Sequence, residues 1–341
     1  MAQLIARVVW DHQAAGLSPV APTKDAVLTA VEAAGETLRL CCEVHLQILK
    51  MNMYKEHIML IDEIVNFCHE ELLDTVCNGY SYEESNEKCK DCLDDLHYHR
   101  NLIREDYDCE RLLDFYVCRY SHKYCSEMIY ALESIDLSAY PYFHILSLGC
   151  GGAADLMAFD YLSYSQPLFY MGFDINPYWE KIHHEIEDRC TCGNVTFRRG
   201  IDVLDYFKKH PIPKANILSI EYLISFFYNT LGRSGMESWF RELVKQIILQ
   251  KPNNSPFLVI INDVDSINTG RDTFLILKGI IEECGLSVSF ELRKHFKEYS
   301  YYQNSQRYYS RQNRFEIPQF IKDNYYPAIN CESAQLILEV V

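Results

Sequence analysis

Long apolar runs are missing from this chain of 341 residues. No stretch approaches the ~20 apolar residues of a membrane span, and the first residues, which include Arg7 and Asp11, lack the apolar core of a secretory signal. The fourteen cysteines make up about 4% of the chain, which is below the ~8–10% typical of disulfide scaffolds. Several lie in apolar helical patterns, where free thiols are commonly buried. The sequence therefore predicts a cytoplasmic protein in a reducing compartment, without a membrane segment.

Positive charge is also scarce, because 32 Lys and Arg stand against 48 Asp and Glu, a formal net charge of −16. This balance argues against indiscriminate binding to phosphate backbones. The segment Arg293–Phe315 reverses it, with six Lys or Arg, one acid and interleaved aromatic residues. Aromatic rings stack on bases while cations contact phosphates, so this segment is a candidate nucleic-acid contact. The alternative is an arm whose tyrosines pack on the protein itself or on a partner subunit, as in a homodimer.

The spacing of apolar residues divides the chain into a helical and an alternating part. Residues 1–23, with Gly16 and Pro19, predict a loosely tied arm. Residues 24–135 predict an all-helical N-terminal domain, because apolar residues recur there every three or four positions. Its four patterns run from Asp25 to about Lys50, from Tyr54 to Val76, from Tyr82 to Ile103 and from Cys109 to Leu132. A second domain is predicted over 140–341, since the residue before a proline such as Pro141 leaves helical geometry.

A glycine-rich turn follows a short buried strand at Ile145–Leu148. Gly149, Gly151 and Gly152 allow the backbone to turn sharply and to approach a ligand closely, while Cys150 is a small residue between them. An apolar helical pattern comes next along the chain. A strand, a glycine turn and a helix N-terminus in this order form a cradle for a nucleotide-like ligand.

The strands predicted after this turn end in, or just before, an acidic residue. The strand Phe169–Phe173 ends in Asp174, about 20 residues beyond the glycines, where a carboxylate can accept both hydroxyls of a ribose. The later strands are Asn194–Arg199, closed by Gly200–Val203; Ala215–Ile220, ending in Glu221; and Phe257–Ile261, ending in Asn262 and Asp263. Ligands of open parallel sheets bind outside the carboxyl ends of the strands. We therefore expect these acids to gather at one ligand-binding rim.

Three of these segments resemble successive motifs of the class I S-adenosylmethionine-dependent methyltransferases. They are Leu148–Ala153 (LGCGGA), the acid Asp174, and Gly200–Val203. The resemblance covers roughly residues 140–341. It implies an α/β fold: a Rossmann-like, seven-stranded methyltransferase sheet with helices on both faces and a final strand inserted antiparallel beside its predecessor.

The resemblance also implies S-adenosylmethionine as the cofactor and a role for each matching residue. Asp174, with Ile175 beside it, would hold the ribose hydroxyls, and Asp202 with Val203 would meet the adenine. The implied cofactor-binding set is Gly149, Cys150, Gly151, Gly152, Asp174, Ile175, Asp202, Val203 and Glu221. Glu221, where the acceptor-side motif begins, is also the candidate catalytic residue. Its alternative interpretation is a solvated carboxylate at a strand end.

Two alternatives to a methyltransferase stay open. Ser147 stands where the family usually has an acid, and Ala153 where it often has a third glycine, which favours a non-catalytic binding module with the same fold. The spacing from Gly149 to Ala154 also fits the dinucleotide fingerprint of a nicotinamide-dependent oxidoreductase. The end of the chain favours the methyltransferase, because Leu286–Leu292 and Gln335–Val341 predict two further strands and leave no room for a second catalytic domain.

The methyl acceptor has no signature in the sequence. Residues 222–228 do not form an Asn-Pro-Pro-Tyr type of loop, which argues against an amino-adenine or amino-cytosine DNA methyltransferase of the ordinary pattern. RNA, protein side chains and small metabolites therefore stay open as acceptors. Amphipathic helices are predicted over Trp239–Gln250 and Thr273–Cys284, and the span 294–333 is too long for a tight hairpin, which predicts an inserted lid, arm or subdomain.

A zinc site is suggested by one cysteine pair but not supported by its surroundings. Cys89 and Cys92 have the two-residue spacing that zinc sites use, and Cys118, His122 and Cys125 would share one helical face. A second Cys-x-x-Cys pair is missing, and both groups fall inside amphipathic helices. We therefore predict buried thiols and no metal.

Overall fold

The structure is a computed structural model that describes residues 59–98, 107–210, 214–251, 255–266, 270–296, 305–307 and 312–341. Its helices are α1 Leu60–Asp74, α2 Tyr82–Tyr98, α3 Glu110–Leu132, α4 Ala154–Leu162, α5 Glu180–Arg189, α6 Val203–Phe207, α7 Ile224–Gln246, α8 Gly270–Glu283 and α9 Gln319–Tyr325. Its strands are β1 Phe143–Leu148, β2 Leu168–Asp174, β3 Asn194–Arg199, β4 Ile217–Glu221, β5 Phe257–Val264, β6 Val288–His295, β7 Ser305–Arg307 and β8 Ser333–Val340.

These strands form one mixed sheet in the order β3-β2-β1-β4-β5-β8-β6-β7. Strands β1 to β5 are parallel, so their carboxyl ends meet at one edge, as predicted. Strand β8 lies antiparallel between β5 and β6, where the resemblance placed the final strand. Seven strands are thus those of the predicted sheet, and the eighth, β7, is a three-residue edge strand within the predicted insert.

Successive residues of each central strand point to opposite faces of the sheet, and each face carries its own apolar core. Ile145 of β1 packs in one core with residues of α1 to α5 and α9, whereas its neighbour Leu146 packs in the other with α6, α7 and α8. Helices on both faces are therefore confirmed. The near-continuous apolar sequence of β1, β4 and β5 follows from this double burial.

Helices α1, α2 and α3 belong to the predicted helical region and share the first of these cores with the sheet. Residues Ile58–Val341 form one compact unit. The division of the chain into 24–135 and 140–341 stays a prediction. The arm at 1–23 and the helical pattern at 25–50 lie outside the described residues.

Helix α3 is buried on nearly all sides. Its buried residues include polar ones, such as Ser121 and Glu127, which interrupt the apolar pattern. Its 23 residues cross the molecule between α1, α4 and the sheet. Neither α3 nor any other helix among the described ranges is long and apolar enough to cross a membrane.

The helix predicted over Trp239–Gln250 begins earlier than expected. Helix α7 starts at Ile224, and Gly232, with φ 68° and ψ 177°, interrupts its helical geometry. The N-terminus of α7 is capped from another strand, because the Asp263 carboxylate accepts hydrogen bonds from the amides of Ile224 (2.8 Å) and Ser225 (3.1 Å). A cap that lies 39 positions away in sequence leaves no local signal.

Candidate functional site

The backbone turns sharply in the glycine turn between β1 and α4, as its sequence predicted. Gly149 (φ 62°), Gly151 (φ 47°) and Ala153 (φ 56°) all adopt left-handed conformations. A Cβ atom at Gly149 would lie 2.9 Å from the Cδ1 atom of Leu223, which follows β4. A side chain at position 149 would displace the end of Leu223 and would have to adopt the left-handed φ of 62°, as Ala153 does at a cost of about 1–2 kcal/mol.

Side chains of this chain itself cover the other two glycines. A Cβ atom at Gly151 would lie 3.5 Å from the ring of Trp179, and one at Gly152 would lie 3.1 Å from the Cγ2 atom of Val117 on α3. The missing side chains at these positions thus allow α3 and Trp179 to pack on the turn.

Asp174, at the end of β2, fixes the shape of the turn through two main-chain hydrogen bonds. Its Oδ2 accepts from the amide of Gly151 (2.9 Å) and its Oδ1 from the amide of Asn176 (2.9 Å). Each carboxylate oxygen has a second lone pair, and the residue is only partly buried, so it can still accept hydroxyl groups. Ile175 beside it is 68% exposed, as an apolar cover for a flat ring requires.

Asp202 and Val203 lie at the end of the neighbouring strand β3. The exposed Asp202 caps α6, since its side chain accepts from the amide of Asp205 (2.9 Å), and Val203 is the first residue of that helix. Because β2 and β3 are parallel and pair Asp174 with Arg199, all four residues predicted to meet the adenosine lie at one edge of the sheet.

His183 of α5 contacts the glycine turn, a role that nothing in the sequence indicated beyond the helical pattern around it. Its Nε2 lies 2.7 Å from the carbonyl oxygen of Gly151, and its ring stacks on Phe197 at 3.9 Å between centroids. Burial lowers the pKa of His183 to about 3. The ring is therefore neutral, and we assign the Nε2 proton to the bond with Gly151.

Glu221 lies at the end of β4 beside Asn262 of β5, whose Nδ2 donates to its Oε1 (3.2 Å). Burial, the charge of Asp155 and that of Glu127 raise the pKa of Glu221 well above its usual range, although the bond from Asn262 lowers it. The residue still keeps some accessible surface. Glu221 is thus a partly buried carboxyl with a neighbouring side-chain donor, and its role as a cofactor or catalytic residue stays a prediction.

Glu127 of α3 is a buried carboxylate that the sequence analysis missed. Its Oε2 accepts from the hydroxyl of Tyr222 (2.7 Å) and from Asn262 (3.2 Å), and its Oε1 from the amides of Glu332 (2.6 Å) and Ser333 (3.1 Å). These bonds join α3 to the ends of β4 and β5 and to the start of β8. Nothing in the local pattern of α3 distinguishes Glu127 from a solvated helical glutamate.

A third acid, Asp155, lies buried in the first turn of α4. Its Oδ1 accepts from the hydroxyl of Tyr170 (2.8 Å), and the same hydroxyl contacts the side chain of Ser147. Its Oδ2 is buried without a hydrogen-bond partner. Asp155 therefore places a carboxylate next to Ser147, the position where the methyltransferase motif usually carries an acid.

The described cations of the Arg293–Phe315 segment are engaged within the protein. Arg293 pairs with Glu291 (2.6 Å), Lys294 donates to the hydroxyl of Ser134, and Arg314 pairs with Glu133. Phe296 and Phe315 are buried. The side chains of 297–311 lie outside the described residues, and a nucleic-acid contact there stays a prediction.

The cysteines considered for zinc lie on two helices and are buried. Cys89 and Cys92 belong to α2, and Cys118 and Cys125 to α3. Within the described residues no group of three or more His, Cys, Asp or Glu side chains is arranged to hold a metal ion.

No family model matches the chain, and no curated protein matches it. Solved structures similar to it include a putative class I S-adenosylmethionine-dependent methyltransferase from Listeria monocytogenes, at 13% identity and a TM-score of 0.40 over 82% of this chain and 80% of that one. A methyltransferase of this cofactor class from Aquifex aeolicus is 13% identical, with a TM-score of 0.36 over 65% of this chain and 93% of that one.

The magnesium protoporphyrin IX methyltransferase of Synechocystis, solved with S-adenosylhomocysteine bound, is 12% identical, with a TM-score of 0.35 over 65% of this chain and 82% of that one. The strand order identifies the fold without these weak similarities. With its parallel strands in the order β3-β2-β1-β4-β5 and its antiparallel β8, this chain has the Rossmann-like methyltransferase fold that its sequence motifs predicted.

Proposed function

We propose that this protein is an S-adenosylmethionine-dependent methyltransferase. The observation that carries the proposal is the charge of the rim. The side chain of Asn262 donates to both Glu221 and Glu127 at 3.2 Å, and the charges of Asp155 and Glu127 add to burial in raising the pKa of Glu221, so three carboxyl groups lie close together. S-adenosylmethionine carries a sulfonium and an ammonium group, which such a lining attracts. The residues present therefore fit the cofactor.

Asp174 and its neighbours would hold the other end of the same molecule. Asp174 is a partly buried carboxylate at the position predicted for the ribose, and Ile175 and Val203 offer apolar contact to an adenine ring. The glycine turn lies between these residues and Glu221, since β1 pairs with β2 on one side and with β4 on the other. The distance from adenosine to sulfonium would thus be spanned along the turn.

A dinucleotide is a poorer fit to the same rim. In dinucleotide sites the pyrophosphate binds at the N-terminus of the first helix, where main-chain amides point at it. Here Asp155 occupies the first turn of α4, and its Oδ1 accepts from the amide of Leu156 (3.0 Å). A carboxylate at that position repels a phosphate.

The cofactor, when bound, supplies an electrophilic methyl group on a positively charged sulfur. Transfer of that group is an in-line displacement, so the main task of the protein is to align the acceptor. Glu221, with its raised pKa, is suited to accept the proton that the acceptor loses. Asn262, which bonds to both Glu221 and Glu127, orients the carboxyl.

Calorimetric titration with S-adenosylmethionine, S-adenosylhomocysteine and reduced nicotinamide dinucleotide tests the proposal. We expect micromolar binding of the first two and none of the third. Tight binding of the nicotinamide instead would support the oxidoreductase. Binding of S-adenosylmethionine with no product formed over a wide panel of RNA, protein and small-molecule acceptors would support a non-catalytic binding module.

A further inference from the structure

Five aromatic side chains form a continuous wall at the rim, which we call the aromatic wall: Tyr116, Tyr120, Tyr124, Trp179 and Tyr222. Three of them recur every fourth residue on α3, so they share one helical face. Tyr116 contacts Trp179 at one end (5.8 Å between centroids) and Tyr124 contacts Tyr222 at the other (4.2 Å). The aromatic wall thus runs from the end of β2, across the glycine turn, to the end of β4.

The aromatic wall faces the candidate active site. The hydroxyl of Tyr222 bonds to Glu127 (2.7 Å), and Tyr222 directly follows Glu221 in the chain. Burial raises the pKa of Tyr116, and the charge of Glu221 makes a smaller contribution in the same direction. Tyr116 and Tyr222 are not fully buried.

One cation lies within the aromatic wall. The Nζ of Lys123 is 5.4 Å from the ring centroid of Tyr124 and 5.2 Å from that of Tyr222, and the residue is only 8% exposed. Among the residues that the structure describes, no hydrogen bond or ion pair contacts this ammonium group. Two ring faces replace only part of the hydration that this ammonium group loses in a largely buried side chain.

Two other buried charged residues of this unit, Arg111 and Glu127, accept or donate several hydrogen bonds within the protein. The guanidinium of Arg111 donates to the carbonyl of Leu72 (2.8 Å) and to Asn86 (2.6 Å). Glu127 accepts four hydrogen bonds, as described above. The Nζ of Lys123 instead lies over two rings, and one of them, Tyr222, directly follows Glu221 in the chain. An ammonium group held only by ring faces can pair with an anionic ligand.

We propose that the methyl acceptor is a small aromatic carboxylate, with its carboxylate on Lys123 and its ring on the aromatic wall. This inference rests on the proposed function. The faces of Tyr124 and Tyr222 favour a flat ligand, and an ammonium group favours an anion. The depth of Lys123 favours a small molecule over a polymer.

The reaction balances without any further reagent. A hydroxyl or amino group on the acceptor attacks the methyl carbon and forms the new O–C or N–C bond. The C–S bond breaks, and its electron pair stays on sulfur, so the sulfonium becomes a neutral thioether. The proton of the attacking group passes to the Glu221 carboxylate and from there to solvent.

Separate titration of two matched probes tests the site. Benzoate and benzamide have the same ring and nearly the same size, but only benzoate is charged. Both are titrated by calorimetry into protein saturated with S-adenosylhomocysteine. We expect benzoate to bind at least tenfold more tightly than benzamide, and more tightly than the non-planar cyclohexanecarboxylate. Lys123→Gln should remove the preference for benzoate, and Lys123→Arg should keep most of it.

The control variant is Lys245→Gln, since this lysine on α7 is exposed and pairs only with a neighbouring glutamate. It should leave the affinity for both probes unchanged. Thermal unfolding of Lys123→Gln and Lys123→Arg shows whether each variant is folded, and the arginine variant keeps the test decisive if the glutamine variant is not.

Three results would overturn the inference. Equal binding of benzoate and benzamide to the wild-type protein would show that the site does not select an anionic acceptor. A preference that survives Lys123→Gln moves the anion elsewhere. Loss of S-adenosylhomocysteine affinity in Lys123→Gln, with benzoate binding unchanged, assigns the lysine to the carboxylate of the cofactor. Failure of the proposed function is distinguishable, because the wild-type protein would then bind neither S-adenosylmethionine nor its product.

Discussion

The two halves of the rim hold their acids in opposite ways. Near the ends of β2 and β3, Asp174 is partly buried and Asp202 is exposed, and both accept hydrogen bonds from main-chain amides of the surrounding loops. At the ends of β4 and β5, Glu221 and Glu127 are enclosed, and their partners are side chains and amides from distant segments. The first half is built by local turns and the second by the packing of α3 on the sheet.

This difference separates binding from stability. A residue of the first half can be changed at little cost to the fold, because water replaces the lost hydrogen bonds. In the second half, Glu127 accepts from four donors at once, and water cannot replace it for these buried groups. Substitutions in the first half should therefore lower affinity, and loss of Glu127 should lower the free energy of unfolding.

The largest effect is expected for Glu127→Ala. The change leaves two main-chain amides, the hydroxyl of Tyr222 and the amide of Asn262 without their acceptor. Since each buried unsatisfied donor costs about 1–3 kcal/mol, we expect the free energy of unfolding to fall by roughly 3–5 kcal/mol. Urea unfolding followed by circular dichroism measures it.

The matched control for this variant is Glu83→Ala, at an exposed position in the first turn of α2. It should change the free energy of unfolding by no more than about 0.5 kcal/mol. A loss below about 1 kcal/mol in Glu127→Ala would show that the network does not join α3 to the sheet.

The same contrast explains what the sequence predicts and what it does not. The glycine turn, Asp174 and Asp202 follow one another along the chain and are set by local strand and turn chemistry, so their places at one edge could be predicted. Glu127, Tyr222 and Asn262 meet only after folding. The cap of α7 by Asp263 and the support of Gly151 by His183 are likewise contacts between distant residues, without a local pattern.

Asp174→Ala should have the next largest effect, and on affinity. We expect the affinity for S-adenosylmethionine to fall by about 1.5–3 kcal/mol, the usual loss of hydrogen bonds to a charged group. The free energy of unfolding should fall much less, since the residue is partly exposed. Calorimetry and unfolding on the same preparation compare the two. Unchanged affinity would place the ribose elsewhere.

His183 should make stability depend on pH. Because the pKa of His183 is lowered from 6.5 to about 3 in the folded protein, the unfolded chain binds the proton more readily. Its contribution is fully present above about pH 6.5 and is lost as the pH falls toward 3. We expect a loss of about 1–2 kcal/mol between pH 7 and 5.

Urea unfolding at several pH values in wild type and His183→Gln isolates this contribution. Asp263 and Asp114, with pKa values raised to about 6 and about 7, change stability in the opposite direction, but they are common to both proteins. The difference between wild type and variant should therefore shrink as the pH is lowered. A constant difference would mean that the histidine is not held neutral.

Glu221 should link cofactor affinity to pH. Its pKa is raised by burial and by Asp155 and Glu127, and a sulfonium nearby favours the ionised form, so binding releases a proton. Affinity for S-adenosylmethionine should then rise with pH, by up to about tenfold per unit below that pKa. S-adenosylhomocysteine has a neutral sulfur and should show a smaller rise. Equal slopes of affinity against pH for the two ligands, or slopes that persist in Glu221→Gln, would show that the Glu221 carboxyl does not interact with the sulfonium.

The smallest effect is expected for the basic segment Arg293–Phe315. If it contacts nucleic acid, the cations available are those whose side chains lie outside the described residues, because Arg293, Lys294 and Arg314 already have protein partners. Arg307→Ala should lower the log–log salt slope for single-stranded RNA by about one unit. Arg314→Ala, whose charge is held by Glu133, should leave the slope unchanged. Fluorescence anisotropy over a salt series compares them, and equal losses in both variants would show that the pairing with Glu133 gives way to a phosphate.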